Sequence, residues 1–100
     1  MEITKKDVME SLSNVMDPEM HMSIVDMGLI YNVKVSKKGV HILMTLTTIG
    51  CPLYSVIEED IRNKLADLGF LHKNINLELT FDPPWSLDRM SKKGKAMLGI

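Results

Sequence analysis

The sequence predicts an α+β fold in one small domain, residues 1–100, with element order helix, strand, strand, helix, strand. Three observations lead there. Apolar residues alternate with period two in three separate stretches, the signature of strands with one buried face. Two other stretches keep helical spacing and carry start or stop signals. The second of these lies between the second and third strands, where a right-handed crossover makes those strands parallel, while a short turn makes the first two an antiparallel hairpin. The expected architecture is a three-stranded mixed sheet covered by two helices, followed by a short C-terminal helical tail.

Thr4 is placed to cap the first helix with Asp7 at its third position, and Ile3 and Val8 flank the cap as a hydrophobic staple. Val8, Leu12, Val15 and Met16 form its apolar face, and Asp17-Pro18 stops it near Val15, because a residue before proline avoids the α region. Pro18 to Gly28 shows neither period and reads as an ordered loop with a short turn. Leu29, Tyr31, Val33 and Val35 define the first strand, Lys37-Lys38-Gly39 turns the chain, and Val40, Ile42, Met44 and Leu46 define the second. Pro52 suits the first position of the next helix, whose spaced residues are Val56, Ile57, Ile61, Leu65 and Leu68, with Gly69 as its left-handed stop. Ile75, Leu77, Leu79 and Phe81 give the third strand, ended by Asp82-Pro83-Pro84-Trp85. Periodicity does not say which strand is central. It leaves the sheet face away from the helices thinly covered unless the tail or a second subunit shields it, and a homodimer is the expected consequence.

Composition narrows the function classes. A length of 100 residues with 45% hydrophobic and 25% charged content supports a modest core that folds without staples. A formal net charge of -1 argues against a polybasic binder of nucleic acid or membrane surfaces, which draws its affinity from phosphate neutralisation. The sequence holds no apolar run of membrane-spanning length and no signal-peptide core within its first residues. One cysteine cannot bridge within the chain, which fits a reducing compartment. A cytoplasmic protein with neither nucleic acid nor membrane as partner is expected.

That cysteine is the most informative residue. In Thr47-Thr48-Ile49-Gly50-Cys51-Pro52 a glycine permits a tight strand-to-helix turn, and Cys51 falls at the helix N-terminus, where unpaired amides favour a thiolate. A thiolate is what metals and electrophiles need; the alternative is a small, inert, buried hydrophobe. The loop holding Glu19, His21 and Asp26 precedes the first strand of the hairpin while Cys51 follows the second, so the two meet at one end. There Asp26 is a ligand, a base, or a brace accepting backbone N–H bonds before glycine. The histidines show no metal-ligand spacing, and His41 and His72 read as surface residues. Asp82-Pro83-Pro84-Trp85 is either a stiff exit tucking Trp85 over the core or a rigid recognition ridge. Arg89, Lys92, Lys93 and Lys95 read as a solvated helix face; the methionines read as core filler, or at Met20, Met22 and Met27 as an adaptable partner surface.

Together, Asp17-Pro18-Glu19, the run Ser23 to Tyr31, the run Met44 to Pro52, Asp82-Pro83-Pro84-Trp85, Arg89-Met90-Ser91 and Leu98-Gly99-Ile100 resemble one family. It is the small iron-sulfur cluster assembly domain family that includes SufT and PaaD. The resemblance covers nearly the whole chain, departing from the usual pattern at Met27 and Met20-His21-Met22; the lack of further cysteines sets it nearer the SufT-like branch. It implies the α+β fold, a role in maturing iron-sulfur proteins, a functional cysteine at Cys51, and a site lined by Glu19, Asp26, Thr48, Gly50 and Pro52. It also implies a partner-binding surface of Asp82, Pro83, Pro84, Trp85 and Arg89. Since clusters normally take about four protein ligands, one thiolate holds cluster or iron only transiently. No tightly bound cofactor is therefore expected. Assembly machinery, client apoproteins and a second copy are the expected partners, and the protein is expected not to be an enzyme. The rivals are an adaptor that carries no cluster and a thiol enzyme with Cys51 as nucleophile and Asp26 or His21 as base.

Overall fold

A computed structural model describes residues 3–18, 21–47 and 54–99. Helix α1 (Lys5–Leu12) begins at the expected cap. The Asp7 amide donates to the Thr4 hydroxyl at 3.1 Å, and the Thr4 amide donates to the Asp7 carboxylate at 2.9 Å. That reciprocal pair satisfies two amide donors the helix would otherwise leave open, and the Thr4 hydrogen bonds hold the Asp7 carboxyl below its ordinary range. The helix stops at Leu12, one turn short of the expected end. Val15 instead closes a turn onto the Leu12 carbonyl and lies buried.

Met16, expected on the apolar face of the first helix, instead begins a short strand β1 (Met16–Asp17), which pairs antiparallel with β2 (Met22–Ser23) in the stretch expected as an ordered loop, Met16 opposite Ser23. Two residues are too few to display a period, so the sequence pattern could not announce them. Strand β3 (Ile30–Ser36) turns through Lys37-Lys38 into β4 (Gly39–Met44), the expected hairpin. Helix α2 (Tyr54–Leu68) crosses over to β5 (Ile75–Leu79), which pairs parallel to β4. The order β3-β4-β5 makes β4 central. A short helix α3 (Lys92–Leu98) follows a 3-10 turn at Leu87–Arg89.

One face of the sheet carries Val33, Val40, Ile42 and Ile75 into a core with Val8 and Leu12 of α1 and Ile57, Ile61 and Leu65 of α2. Val56 does not join it and is 52% exposed. It sits one position before Ile57, about 100° around the helix from the buried stripe. The opposite face is not bare apolar surface awaiting cover. Asn32, Lys34, His41 and Asn76 alternate with the core residues, and His41 Nε2 meets Glu78 Oε1 at 3.0 Å across β4 and β5. An antiparallel hairpin with this alternation can face water on one side, so its stability demands no second subunit. No described helix is long and apolar enough to cross a membrane.

Candidate functional site

At one end of the sheet β3 begins and β4 and β5 end. The register slips between Ile30 and Asn32, a bulge at Tyr31 that re-aims its ring. Just before it, the Thr45 amide donates to the Leu29 carbonyl at 2.8 Å, and the Thr80 amide donates to the Met44 carbonyl at 2.9 Å. These bonds hold the three chain segments together past the ladder.

The C-terminal segment returns to this end and straps the loop that leads into β3. The Tyr31 hydroxyl donates to the Pro83 carbonyl at 2.8 Å. Trp85 is half-buried, and its Nε1 donates to the Met27 carbonyl at 2.6 Å. The Arg89 guanidinium stands 4.6 Å from the centroid of the Tyr31 ring, within cation-π range. Ser91 donates from its amide to the Asp26 carbonyl at 2.9 Å and from its hydroxyl to Asp26 Oδ1 at 2.8 Å. The same hydroxyl accepts the Gly94 amide at 3.0 Å and so caps α3. Met90, between these contacts, is buried.

Two glycines make the approach possible. Gly28 has φ +76, and a Cβ there would fall 2.1 Å from the Arg89 carbonyl oxygen. At Gly94 a Cβ would fall 2.7 Å from the Asp26 carbonyl oxygen. Backbone therefore lies on backbone at both places, which only a residue without a side chain allows. Beside the strap, Gly28, Ile30, Tyr31, Leu43, Pro83 and Arg89 line an open groove of about 440 Å³.

Of the residues singled out from sequence, Asp26, Asp82, Pro83, Pro84, Trp85 and Arg89 belong to this strapped end or the segment that builds it. Cys51, Thr48, Gly50, Pro52 and Glu19 lie outside the described residues. Asp26 braces, but toward Ser91 rather than toward amides of its own turn. Met22 and Met27, one reading of which was an adaptable surface, are each 1% exposed and belong to the core. His21 is exposed at φ 53, a turn position. Ser91 and Tyr31 were not singled out as site residues. Ser91 carries a local signal, a serine immediately before a helix, but that signal names the cap and not the second partner.

Cys51 is the one thiol of the chain, so any sulfur ligand it offers to iron comes from the stretch between Thr47 and Tyr54. Among the described residues no three His, Asp or Glu side chains gather as a metal-binding group. At the start of α2, Tyr54 is partly buried and its hydroxyl reaches Glu58 Oε2 at 3.5 Å. Burial first, and the Glu58 carboxylate second, push its phenol above the ordinary value.

The sequence model of the family described as iron-sulfur cluster assembly protein matches residues 5–73. The Fe-S protein maturation auxiliary factor YitW of Bacillus subtilis is 41% identical over 100 residues, covering 99% of this chain and 97% of that protein. The Fe-S protein maturation auxiliary factor SufT of Staphylococcus aureus is 37% identical over 87 residues, covering 86% of this chain and 98% of that one. The crystal structure of a domain of unknown function, DUF59, from Bacillus anthracis superposes with a TM-score of 0.88 at 34% identity, covering 96% of this chain and 92% of that one.

Proposed function

The chain belongs to the iron-sulfur cluster assembly protein family, and from that premise we propose that it is a non-enzymatic accessory factor in the maturation of iron-sulfur proteins. Cluster or iron is its cargo. Cys51 binds or transfers that cargo transiently, and the Trp85 and Arg89 end of the molecule engages the cytoplasmic assembly machinery and client apoproteins. The observation that carries this reading is the strap. The Asp26–Gly28 loop is tied to the segment from Pro83 to Ser91 at the sheet end from which β4 runs on toward Cys51.

A single thiol suits delivery better than storage. About four ligands hold an ordinary cluster, so a second copy, a client or a small thiol completes the shell, and such a shared site releases its cargo easily. Pre-organisation of the surrounding surface lowers the entropy cost of engaging each partner.

The test compares the chain with its Cys51→Ser variant in cells that depend on it, reading the specific activity of a client iron-sulfur enzyme. A fall in client activity at unchanged client abundance is expected. Undiminished activity overturns the transfer role. Anaerobic reconstitution with iron and sulfide, read by visible absorption and native mass, then separates carriers from adaptors. A Cys51-dependent chromophore with iron shared by two copies is the carrier outcome; colourless protein in both forms is the adaptor outcome.

A further inference from the structure

At the other end of the sheet, away from the strap, lies an unassigned groove of about 390 Å³. Lys34 of β3, Lys38 of the hairpin turn and Lys73 of the 3-10 turn before β5 stand around it, with Ser36, Asn74 and Asn76 between them. A tight backbone approach builds it: a Cβ on Gly39 would fall 2.2 Å from the Asn74 carbonyl oxygen, so the hairpin turn and the start of β5 are held against each other.

The charge here is one-sided although the chain as a whole is nearly neutral. Between Asp26 and Glu58 the sequence holds three lysines and no acidic residue. The described ion pairs join His41 to Glu78 and Arg62 to Glu58, and neither involves Lys34, Lys38 or Lys73. No carboxylate is among the described residues that line the groove, and Glu78, two positions along β5 from Asn76, lies 3.0 Å from His41.

We propose that this groove docks an extended acidic segment of a protein partner. The spacing favours a chain over a compact anion. Lys34 stands on β3 and Lys73 just before β5, on opposite sides of the central β4, and strands about 4.8 Å apart put those two backbones about 10 Å from each other. Cations spread over such a width do not converge on one phosphate. Carboxylates on alternate residues of an extended peptide, about 6.6 Å apart, match it, and the amides of Asn74 and Asn76 are placed to serve the peptide backbone. The groove lies at the sheet end opposite the strap and its test does not involve Cys51, so this docking stands or falls independently of the cargo reading.

The full chain, isotope-labelled, is titrated by NMR with an end-blocked peptide of alternating glutamate and glycine, and in parallel with its glutamine counterpart and with inorganic phosphate at equal ionic strength. Saturable shifts confined to residues 34–41 and 73–76, given by the glutamate peptide alone, are expected. Raising salt from 10 to 150 mM shortens the screening length from about 30 Å to about 8 Å and should weaken binding several-fold. The combined Lys34→Glu, Lys38→Glu and Lys73→Glu variant should lose at least about tenfold in affinity, and the corresponding glutamine variant less, each with an unchanged spectrum elsewhere. Scattered shifts, affinity unaltered in both variants, or an equal response to phosphate would overturn the proposal.

Discussion

Ser91 holds Asp26 twice, donating from its hydroxyl to Oδ1 at 2.8 Å and from its amide to the carbonyl at 2.9 Å, across 65 positions of sequence. The same hydroxyl receives the Gly94 amide and starts α3. Formation of the last helix and fixation of the loop before β3 are therefore coupled through one oxygen atom.

Ser91→Ala removes a helix cap and leaves the half-buried Asp26 carboxylate without that donor. A stability loss of about 1 to 3 kcal/mol is expected, read as a lower urea midpoint. Asp26→Asn retains an acceptor at the Oδ1 position and should cost less than Asp26→Ala in the same assay.

Gly28 and Gly99 form a natural pair of controls. Both have a left-handed backbone, φ +76 and +77, but a Cβ at Gly28 meets the Arg89 carbonyl oxygen at 2.1 Å while one at Gly99 meets nothing within 4 Å. Gly99→Ala should cost only the backbone term, about 1 kcal/mol. Gly28→Ala should cost clearly more, because the strap must also move, and the difference between their denaturation midpoints measures the close approach.

Trp85 is the only tryptophan, so its emission reports the strap directly. Trp85→Phe keeps an aromatic ring and deletes the hydrogen bond to the Met27 carbonyl. A loss of about 1 to 2 kcal/mol is expected by chemical denaturation. In the parent chain Ser91→Ala should shift the tryptophan emission to longer wavelength, as the strap loosens and the ring meets water.

Two groups set opposite limits to the pH range of stability. The Asp7 carboxyl is depressed by the Thr4 hydrogen bonds, so its contribution is complete above the ordinary value of 3.8 and is lost as pH falls through the lower folded value. Asp7→Asn should remove that acid-side slope. The Tyr54 phenol is raised by burial and by Glu58, so its contribution is complete below 10.0 and is lost as pH rises above it, where the unfolded chain ionises first. Urea midpoints of Tyr54→Phe followed through that alkaline range should fall less than those of the parent.

Local chemistry was legible and distant chemistry was not. The Thr4 cap, the Lys37-Lys38 turn and the Gly69 stop are decided within three or four residues, and each stands where the spacing predicts. Parallel pairing of β4 and β5 followed from crossover handedness. Val56 shared the helical spacing and still faces water, and Met22 and Met27, open to a core or a surface reading, pack in the core, because burial depends on what arrives opposite a residue. At the site, family resemblance grouped Asp26 with Asp82-Pro83-Pro84-Trp85, while Ser91 and Tyr31 gave only weak signs of their long-range partners.

The α+β class, the order of the main elements and the pairing senses of the sheet can be read from the residues alone, since alternation, helical spacing and chain handedness are properties of neighbours along the chain. The central place of β4, the polar open face and the hold of Ser91 rather than a nearby amide on Asp26 emerge only in the folded chain. A hydrogen bond or a close backbone contact between segments tens of residues apart leaves no period in the sequence. Gly28 against Arg89 is set by shape, and shape exists only once the chain has folded.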